Sequence, residues 1–296
     1  MPEEPIEFSI IVPTYNRLPS LKRALESLFR QDFPSFEIII VNDGSSESTA
    51  EYLTALAGEH KLTYLHQQNK GPALARNLGI GAARGKYIAF IDDDCIAPPN
   101  WLSWYHKRFN ETGASGIGGS SRTGDPSTLF AVANDLIVNF FKENLNNRAE
   151  NQTPFLTSNN AAYTKSCLDH VGGFHKDFKR GAEERDLNFR LAAAGEKLLY
   201  EPAIVIEHYN DADFTAFLKH QYEQGRGSYL LYANARKVTG KKPMMIPAGT
   251  YLKLFFYPFG KFPFGRSFKL FLLLILTQVV ITIGYASRAL SGTEAS

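Results

Sequence analysis

The sequence predicts an α/β protein whose helices cover a mostly parallel central sheet. From residue 8 to residue 91, short runs of β-branched and aromatic residues alternate with segments of helical periodicity, which is typical of doubly wound sheets. Three of the predicted strands are followed at once by polar residues, as expected where open α/β sheets bind ligands. The chain has 296 residues, 44% hydrophobic and 21% charged, so it is large enough for such a core.

The elements of the first half follow one another without long gaps. Each strand is a short apolar run, and each helix repeats apolar residues at intervals of three and four. The predicted strands are residues 8–12, ended by Pro13, and residues 36–41, 62–66 and 87–91, and the predicted helices are residues 18–28, 48–57 and 72–83.

The fourth strand runs directly into three carboxylates, Asp92, Asp93 and Asp94. Strand residues at i and i+2 share a side, so we expect Asp92 and Asp94 to project together and Asp93 to face away. Hard cations such as Mg²⁺ bind through one or two carboxylates together with substrate phosphates. The stretch therefore predicts a metal site or, alternatively, a simple turn after a strand, because aspartate favours turns.

Polar residues also follow the first two strands. Residues 14–17 follow the first, and Asn42 and Asp43 follow the second. Parallel strands end at one edge of a sheet, so these residues should lie beside the carboxylates. Tyr15 is suited to stack on a ring, and Asp43 to accept hydrogen bonds from a base or ribose. A turn and helix cap is the alternative for Asp43. The first strand is not followed by GxGxxG, the glycine pattern of dinucleotide-binding sheets.

The second half predicts further strands and helices. Residues 116–121 and 203–208 are predicted strands, the latter ending in His208; residues 127–145 are predicted to be a helix used for packing, and residues 214–237 a tyrosine-rich helix.

A pair of glutamates, Glu183 and Glu184, opens another predicted helix. Helical spacing aligns Glu184 with Leu187 and Leu191, so we expect it to face inward. Glu183 aligns with Asp186 and Arg190 and is expected to face solvent or the edge of a cleft. An inward carboxylate has a raised pKa unless it is paired, which suits a general base. Acids that stabilise a helix N-terminus are the alternative.

The C-terminal region predicts an association with a membrane. Residues 270–286 carry no charge and are rich in Leu, Ile and Val, near the lower length limit for a spanning helix. Residues 251–268 are dense in aromatics, and four cations precede the apolar segment, whereas only Arg288 follows it. This predicts a transmembrane helix at about residues 268–287, with membrane lipid as a partner and the large N-terminal domain on the cytoplasmic side. A buried helix of a soluble core is the alternative.

The composition of the chain gives little further information about the class of protein. The net charge of +2 gives no support for nucleic-acid binding. Two cysteines make neither a disulfide framework nor a CxxC metal site. The acidic N-terminus predicts that the chain has no signal peptide.

Several blocks of the sequence together resemble the family 2 glycosyltransferases. They are residues 9–17 (SIIVPTYNR), 41–45 (VNDGS), 69–77 (NKGPALARN), 90–94 (FIDDD), 158–163 with 171–174, and 181–187. The last block has Glu184 where the family usually has aspartate. The resemblance covers residues 8–210 and implies a Rossmann-like nucleotide-diphospho-sugar transferase fold, called GT-A.

Carried over to the matching residues, the resemblance implies a complete site. Glu184 would be the catalytic base, and Asp94, Asp92 and His208 would hold a divalent ion, Mg²⁺ or Mn²⁺. The substrate-binding residues would be Pro13, Tyr15, Asn16, Arg17, Asp43, Arg76, Asp92, Asp93, Asn160 and Glu183. Among them Asp43 would contact the base, with Tyr15 beside it, and Arg76 would line the nucleotide site.

The implied activity is metal-dependent, inverting transfer from a UDP- or GDP-type sugar donor to a hydroxyl acceptor that is lipid-linked or close to a membrane. Residues 1–210 would form the catalytic domain, with the donor half to about residue 110, followed by a helical extension to residue 250 and a membrane segment to residue 296. The chain lacks the QxxRW motif of processive members, so we expect a single transfer per acceptor. The alternatives are a nucleotide-sugar-binding membrane protein without catalysis and a phospho-receiver signalling domain, which also groups acids at strand ends.

Overall fold

The computed structural model describes residues 5–59, 62–146, 155–178, 180–210, 213–240 and 246–292. These residues contain one sheet of eight strands. The strands are β1 (Phe8–Thr14), β2 (Phe36–Asn42), β3 (Leu62–His66), β4 (Tyr87–Phe90), β5 (Cys95–Ile96), β6 (Gly116–Thr123), β7 (Ala161–Thr164) and β8 (Leu198–His208).

The sheet is mixed, but most of its strands run in one direction. The spatial order is β3-β2-β1-β4-β7-β6-β8-β5. Neighbours from β3 to β4 are parallel, as are β6 and β8, whereas β7 is antiparallel to both of its neighbours and β5 is antiparallel to β8. Six strands therefore point the same way, which confirms the predicted mostly parallel α/β sheet.

The strand ends differ from the prediction in a way that matters for the site. Pro13 does not end β1, which pairs with β2 as far as Thr14. Proline is tolerated there because β1 pairs with β4 only over Phe8–Ile11, and Pro13 lies beyond that ladder. Conversely, β4 ends at Phe90, so the three aspartates lie in the turn after the strand rather than within it.

Two apolar layers enclose the sheet. One face packs against α1 (Leu18–Leu28), α2 (Glu47–Glu59) and α4 (Trp101–Thr112). The opposite face packs against α3 (Pro72–Ala82), α6 (Lys165–Val171) and α7 (Glu183–Ala193). Successive β1 residues alternate between the layers, with Ile10 in the first and Ile11 in the second, as the period of a strand requires.

The remaining helices form a separate layer beside the end of the sheet. They are α5 (Leu129–Asn146), α8 (Phe214–Thr239), α9 (Ala248–Phe256) and α10 (Phe264–Gly292), and their contacts form two further apolar clusters. Helices α8 and α10 approach each other closely at two glycines, Gly225 and Gly284. A Cβ on Gly284 would lie 2.1 Å from the Tyr222 carbonyl oxygen, and one on Gly225 would lie 2.0 Å from that of Ile281, so larger residues at either position would push the helices apart.

Helix α10 is long and apolar enough to cross a membrane. The most apolar 18-residue stretch of the segment Phe264–Ser291 has a mean hydropathy of 2.1, and only 28% of that stretch is buried. Its inner face, including Leu270 and Leu274, packs against α5, α8 and α9. The outer face carries a continuous stripe of exposed apolar residues, at positions 264, 268, 272, 275, 279, 283 and 290. We call this stripe the outer face of α10.

Candidate active site

A cavity of about 590 Å³ opens where β1, β4 and β8 end. The three strands run in the same direction, so the residues after them meet at one edge of the sheet. Arg17, Asp92, Asp94, Glu184 and His208 all line this cavity. The structure thus brings five of the predicted site residues together from four separate parts of the chain.

The three carboxylates in the turn after β4 have different partners. Asp92 pairs with Arg76 at 2.7 Å, and Asp94 with Arg17 at 2.6 Å. Asp93 accepts a hydrogen bond from the Thr14 hydroxyl at 2.7 Å and does not line the cavity. Asp92 and Asp94 therefore share the cavity, as expected. Burial, together with the charge of Asp94, raises the pKa of Asp93 to about 7.

His208 lies between two carboxylates. Its Nε2 is 3.6 Å from an Asp94 oxygen, and its Nδ1 is 3.0 Å from an oxygen of Asp135. Burial alone would lower the pKa of His208, but the two carboxylates outweigh it and raise the pKa to about 9. Asp135 fixes the ring orientation through Nδ1 and so directs Nε2 toward Asp94.

The donor atoms of Asp94, Cys95 and His208 lie within 4.8 Å of one another. Burial raises the pKa of the Cys95 thiol well above its ordinary value, so the thiol stays protonated and is a poor ligand. The remaining two groups both line the cavity: the Asp94 carboxylate, and the His208 imidazole once a bound ion has displaced its proton, suit Mn²⁺ or Mg²⁺ when substrate phosphate supplies further oxygens. Asp92 lies outside this cluster because Arg76 engages it. The residues present fit a divalent ion, with Asp92 as a neighbour.

The two glutamates of α7 lie the opposite way round from the expectation. Glu184 is half-buried, lines the cavity and accepts a hydrogen bond from the Ser158 hydroxyl at 2.8 Å. Glu183 is buried, 3.6 Å from Arg76. The prediction that Glu183 faces solvent or the cleft edge is therefore wrong. Burial and the nearby Glu184 raise the pKa of Glu183 to about 8.

Helical spacing gave the wrong orientation for Glu183 because α7 is buried on almost every side. Asp186 and Arg190, which were expected on an outer face, are buried and joined by an ion pair of 2.8 Å. Arg190 also donates to the carbonyl oxygens of Val171 and Gly173. Charged residues can face inward where partners of this kind satisfy them, and periodicity alone does not detect the partners.

Arg76 is buried beneath the carboxylates. It donates to Asp92, approaches Glu183 and lies over the Phe174 ring, whose centroid is 5.6 Å away. Among the described residues, its Nε and Nη1 atoms have no hydrogen-bond partner. A buried guanidinium with donors to spare is suited to an anionic group.

The predicted base-contacting residues lie outside the cavity lining. Asp43 accepts hydrogen bonds from the Gln67 side chain and from the backbone N–H groups of Lys70 and Gly71, at 2.7, 2.8 and 2.9 Å. It thereby holds the start of α3. Tyr15 is exposed, and Asn16, with φ 54°, accepts a hydrogen bond from the Ser46 N–H. Asn16 thus joins the loops after β1 and β2.

Asn160 was predicted to bind substrate, and the structure places its side chain inside the fold. Its side-chain oxygen accepts from Trp101 and Tyr105, both at 2.8 Å. Its amide donates to the carbonyl oxygens of Ser120 and Ile204. All four hydrogen-bonding positions are used inside the fold, and the side chain is fully buried. Its neighbour Asn159 lines the cavity instead.

Helix α5 was predicted to serve packing rather than the site, yet it supplies Asp135 to the cavity lining and directs two further polar side chains at the backbone of β6. Asp135 orients His208, Asn139 donates to the Ser121 carbonyl oxygen, and Lys142 donates to that of Gly119. Burial lowers the pKa of Lys142 to about 8. The signal in the sequence was polar residues at positions 135, 139 and 142 of an otherwise apolar helix, a spacing that places them on one face.

The fold is that of solved GT-A glycosyltransferases. The mannosyltransferase PcManGT from Pyrobaculum calidifontis, solved in complex with GDP-Man and Mn²⁺, superposes with a TM-score of 0.68 at 17% identity, covering 97% of this chain and 88% of that one. TarS 1–349 from Staphylococcus aureus, solved with UDP-GlcNAc, gives a TM-score of 0.59 at 16% identity, covering 98% and 93%.

The chain belongs to glycosyl transferase family 2, whose family model matches residues 9–172, more than half of the sequence. An uncharacterized glycosyltransferase of Rickettsia bellii is 44% identical over 103 residues, 35% of this chain and 15% of that protein. Glycosyltransferase GlyG of Streptococcus pneumoniae is 34% identical over 121 residues, 40% of each chain. The similarity thus spans less than half of either relative.

Proposed function

We propose that this protein is a metal-dependent, inverting glycosyltransferase that moves one sugar from a nucleotide-diphospho-sugar to an acceptor hydroxyl at a membrane surface. The observation that carries the proposal is that Asp94, His208 and Glu184 line one cavity. A non-catalytic binding protein would not need a half-buried carboxylate in the same cavity as the proposed metal ligands.

The metal-site residues in this proposal are Asp94 and His208, with Asp92 beside them. A divalent ion bound there would supply positive charge for the leaving nucleoside diphosphate. Arg76, whose Nε and Nη1 make no hydrogen bond among the described residues, and Arg17, which contacts Asp94, would add positive charge on the protein side. PcManGT was solved with a guanosine-type donor and TarS with a uridine-type donor, so both are candidates here.

Glu184 is the proposed base. Its carboxylate takes the proton of the acceptor hydroxyl while that oxygen bonds to the anomeric carbon, and the bond from this carbon to the diphosphate breaks. Attack from the face opposite the leaving group inverts the anomeric centre. Ser158 holds Glu184 at the cavity wall, which keeps the carboxylate in position for a proton transfer.

Membrane association is proposed from the outer face of α10. Its apolar stripe is exposed to the surroundings of the protein, and Lys253, Lys261 and Lys269 lie exposed near it. Aromatic residues and cations of this kind suit the lipid interface, and the cations favour the cytoplasmic leaflet. A membrane-proximal acceptor follows from this placement.

The proposal is tested by donor binding. We expect one member of a panel of UDP- and GDP-sugars to bind the purified protein with Mn²⁺, and this binding to weaken strongly with EDTA or in Asp94→Asn. The control is Asp169→Asn, an exposed acid of α6 that pairs only with Lys165 among the described residues. If no nucleotide sugar binds with any divalent ion, the proposed function is wrong.

A further inference from the structure

The cavity does not end at the carboxylates. Part of its lining is apolar and comes from four segments: Ile137, Val138 and Phe141 of α5, Phe155, Tyr251 of α9 and Ile281 of α10. We call this part of the lining the apolar arm. Well-packed apolar side chains leave few voids larger than a water molecule, whereas these side chains bound an open space of about 590 Å³ that they share with the site.

The wall formed by α5 changes from polar to apolar along its length. Asp135 contacts His208, and Val138 and Phe141 line the cavity further along the same helix. At about 1.5 Å per residue they lie roughly 4.5 and 9 Å beyond Asp135 along the helix axis. The arm therefore begins next to the proposed metal ligands and leads away from them.

The arm leads toward the membrane-facing layer. Ile281 and Tyr251 belong to α10 and α9, and the opposite side of α10 is its exposed outer face. A chain in the arm would lie between the catalytic edge of the sheet and the helix that contacts lipid. A hydrocarbon chain gains binding free energy from such a lining, because its apolar surface is removed from water there.

We propose that the apolar arm binds the hydrocarbon chain of the acceptor, so that the acceptor is a hydroxyl-bearing amphiphile. This inference rests on the proposed function. The hydroxyl head lies between Glu184 and the Asp94–His208 pair, and the first part of the chain lies against Val138 and Phe141. Chain and head are thus recognised at the two ends of one cavity.

The test is photolabelling of the full chain in lipid nanodiscs with dodecyl glucoside that carries a diazirine in the chain. We expect peptides of α5 around Val138 to be labelled, and excess dodecyl glucoside but not glucose to compete. Val138→Trp fills the arm and should reduce α5 labelling about tenfold, the effect of excluding two methylenes or so from an apolar site. Val279→Trp, the same change on the exposed outer face of α10, should leave α5 labelling unchanged.

Donor binding is measured on the same samples, and it distinguishes failure of this inference alone from failure of the proposed function. If a nucleotide sugar binds but labelling is confined to the outer face of α10, or is unaffected by Val138→Trp, the arm holds no acceptor chain while the proposed function stands. If α5 is labelled but no nucleotide sugar binds, the chain does not belong to an acceptor, and both the inference and the proposed function fall.

Discussion

Asn159 and Asn160 are adjacent in the chain but have different surroundings. Asn160 is surrounded by Trp101, Tyr105 and two carbonyl groups, and it joins α4, β6 and β8. Asn159 faces the cavity and accepts a hydrogen bond from the Thr157 hydroxyl. The Asn160 side chain therefore contributes to stability, whereas the Asn159 side chain is accessible to a ligand in the cavity.

Replacing Asn160 by alanine should destabilise the protein without abolishing donor affinity. The change leaves buried polar groups of Trp101 and Tyr105 unpaired, which we expect to lower the free energy of unfolding by about 2–4 kcal/mol. Thermal unfolding and donor titration of the folded variant would measure both effects. Asn159→Ala is the matched control. Unchanged stability with lost donor binding in Asn160→Ala would contradict this assignment.

At the residue scale the sequence predicted which side chains gather at the sheet edge better than it predicted what they contact. Arg17, Asp92, Asp94, Glu184 and His208 share the cavity as expected. The partners of the buried residues were not predictable, because burial and hydrogen bonding depend on segments distant in sequence. Asn160 and Glu183 are the examples: Asn160 is hydrogen-bonded to α4, β6 and β8, and Glu183 lies 3.6 Å from Arg76 of α3, contacts that local patterns do not identify.

At the scale of elements, α5 packs against the strands that carry part of the site. It contacts β6 and β8 through Asp135, Asn139 and Lys142, all of which point inward. The contact of Asp135 with His208 resembles the carboxylate–histidine pairs that orient metal ligands in many proteins. The orientation of His208 thus depends on a helix distant from it in sequence.

Replacing Asp135 by asparagine should weaken the binding of Mn²⁺ by about 10–100-fold, as is usual when a carboxylate behind a ligand histidine is lost. Calorimetry or electron paramagnetic resonance of Mn²⁺ in the presence of nucleoside diphosphate would measure the change. Glu143→Gln removes one carboxylate from the exposed side of the same helix and should have little effect. Equal losses in both variants would show that Asp135 acts only through net charge.

Periodicity predicted where the helices lie but not which polar residues they bury. The boundaries of α1 and β3 agree with the prediction, and α5 begins two residues later and ends one residue later than predicted. The buried faces of α5 and α7 were not predicted correctly, because both helices bury charged residues that pair with other elements. A pattern of hydrophobicity assumes that charge faces solvent, and the assumption fails where a site lies inside the fold.

At the scale of the whole molecule, the alternation of strands and helices was enough to predict the parallel part of the sheet. The strands β5 and β7 were not predicted. They have two and four residues, too few to show a periodic signal, and only pairing with β8 in one case and with β4 and β6 in the other defines them. Their antiparallel direction is a property of the assembled sheet.

Among the described residues, the sheet edge proposed to bind the donor and the helices proposed to contact a membrane line the same cavity. Helix α10 belongs to both parts, because its inner face carries Ile281 in the cavity lining and its outer face carries the exposed stripe. The proposed transfer at a membrane surface agrees with this arrangement, and it would place the proton acceptor where the two parts meet.

The central claim is that Glu184, and not Glu183, accepts the proton of the acceptor. The most direct measurement compares Glu184→Gln with Glu183→Gln for donor affinity and for turnover of the bound nucleotide sugar. We expect Glu184→Gln to bind the donor normally and to lose turnover by about 10²–10⁴-fold, the usual contribution of a general base. Glu183→Gln should retain turnover. Loss of turnover in Glu183→Gln alone, with Glu184→Gln active, would contradict the account.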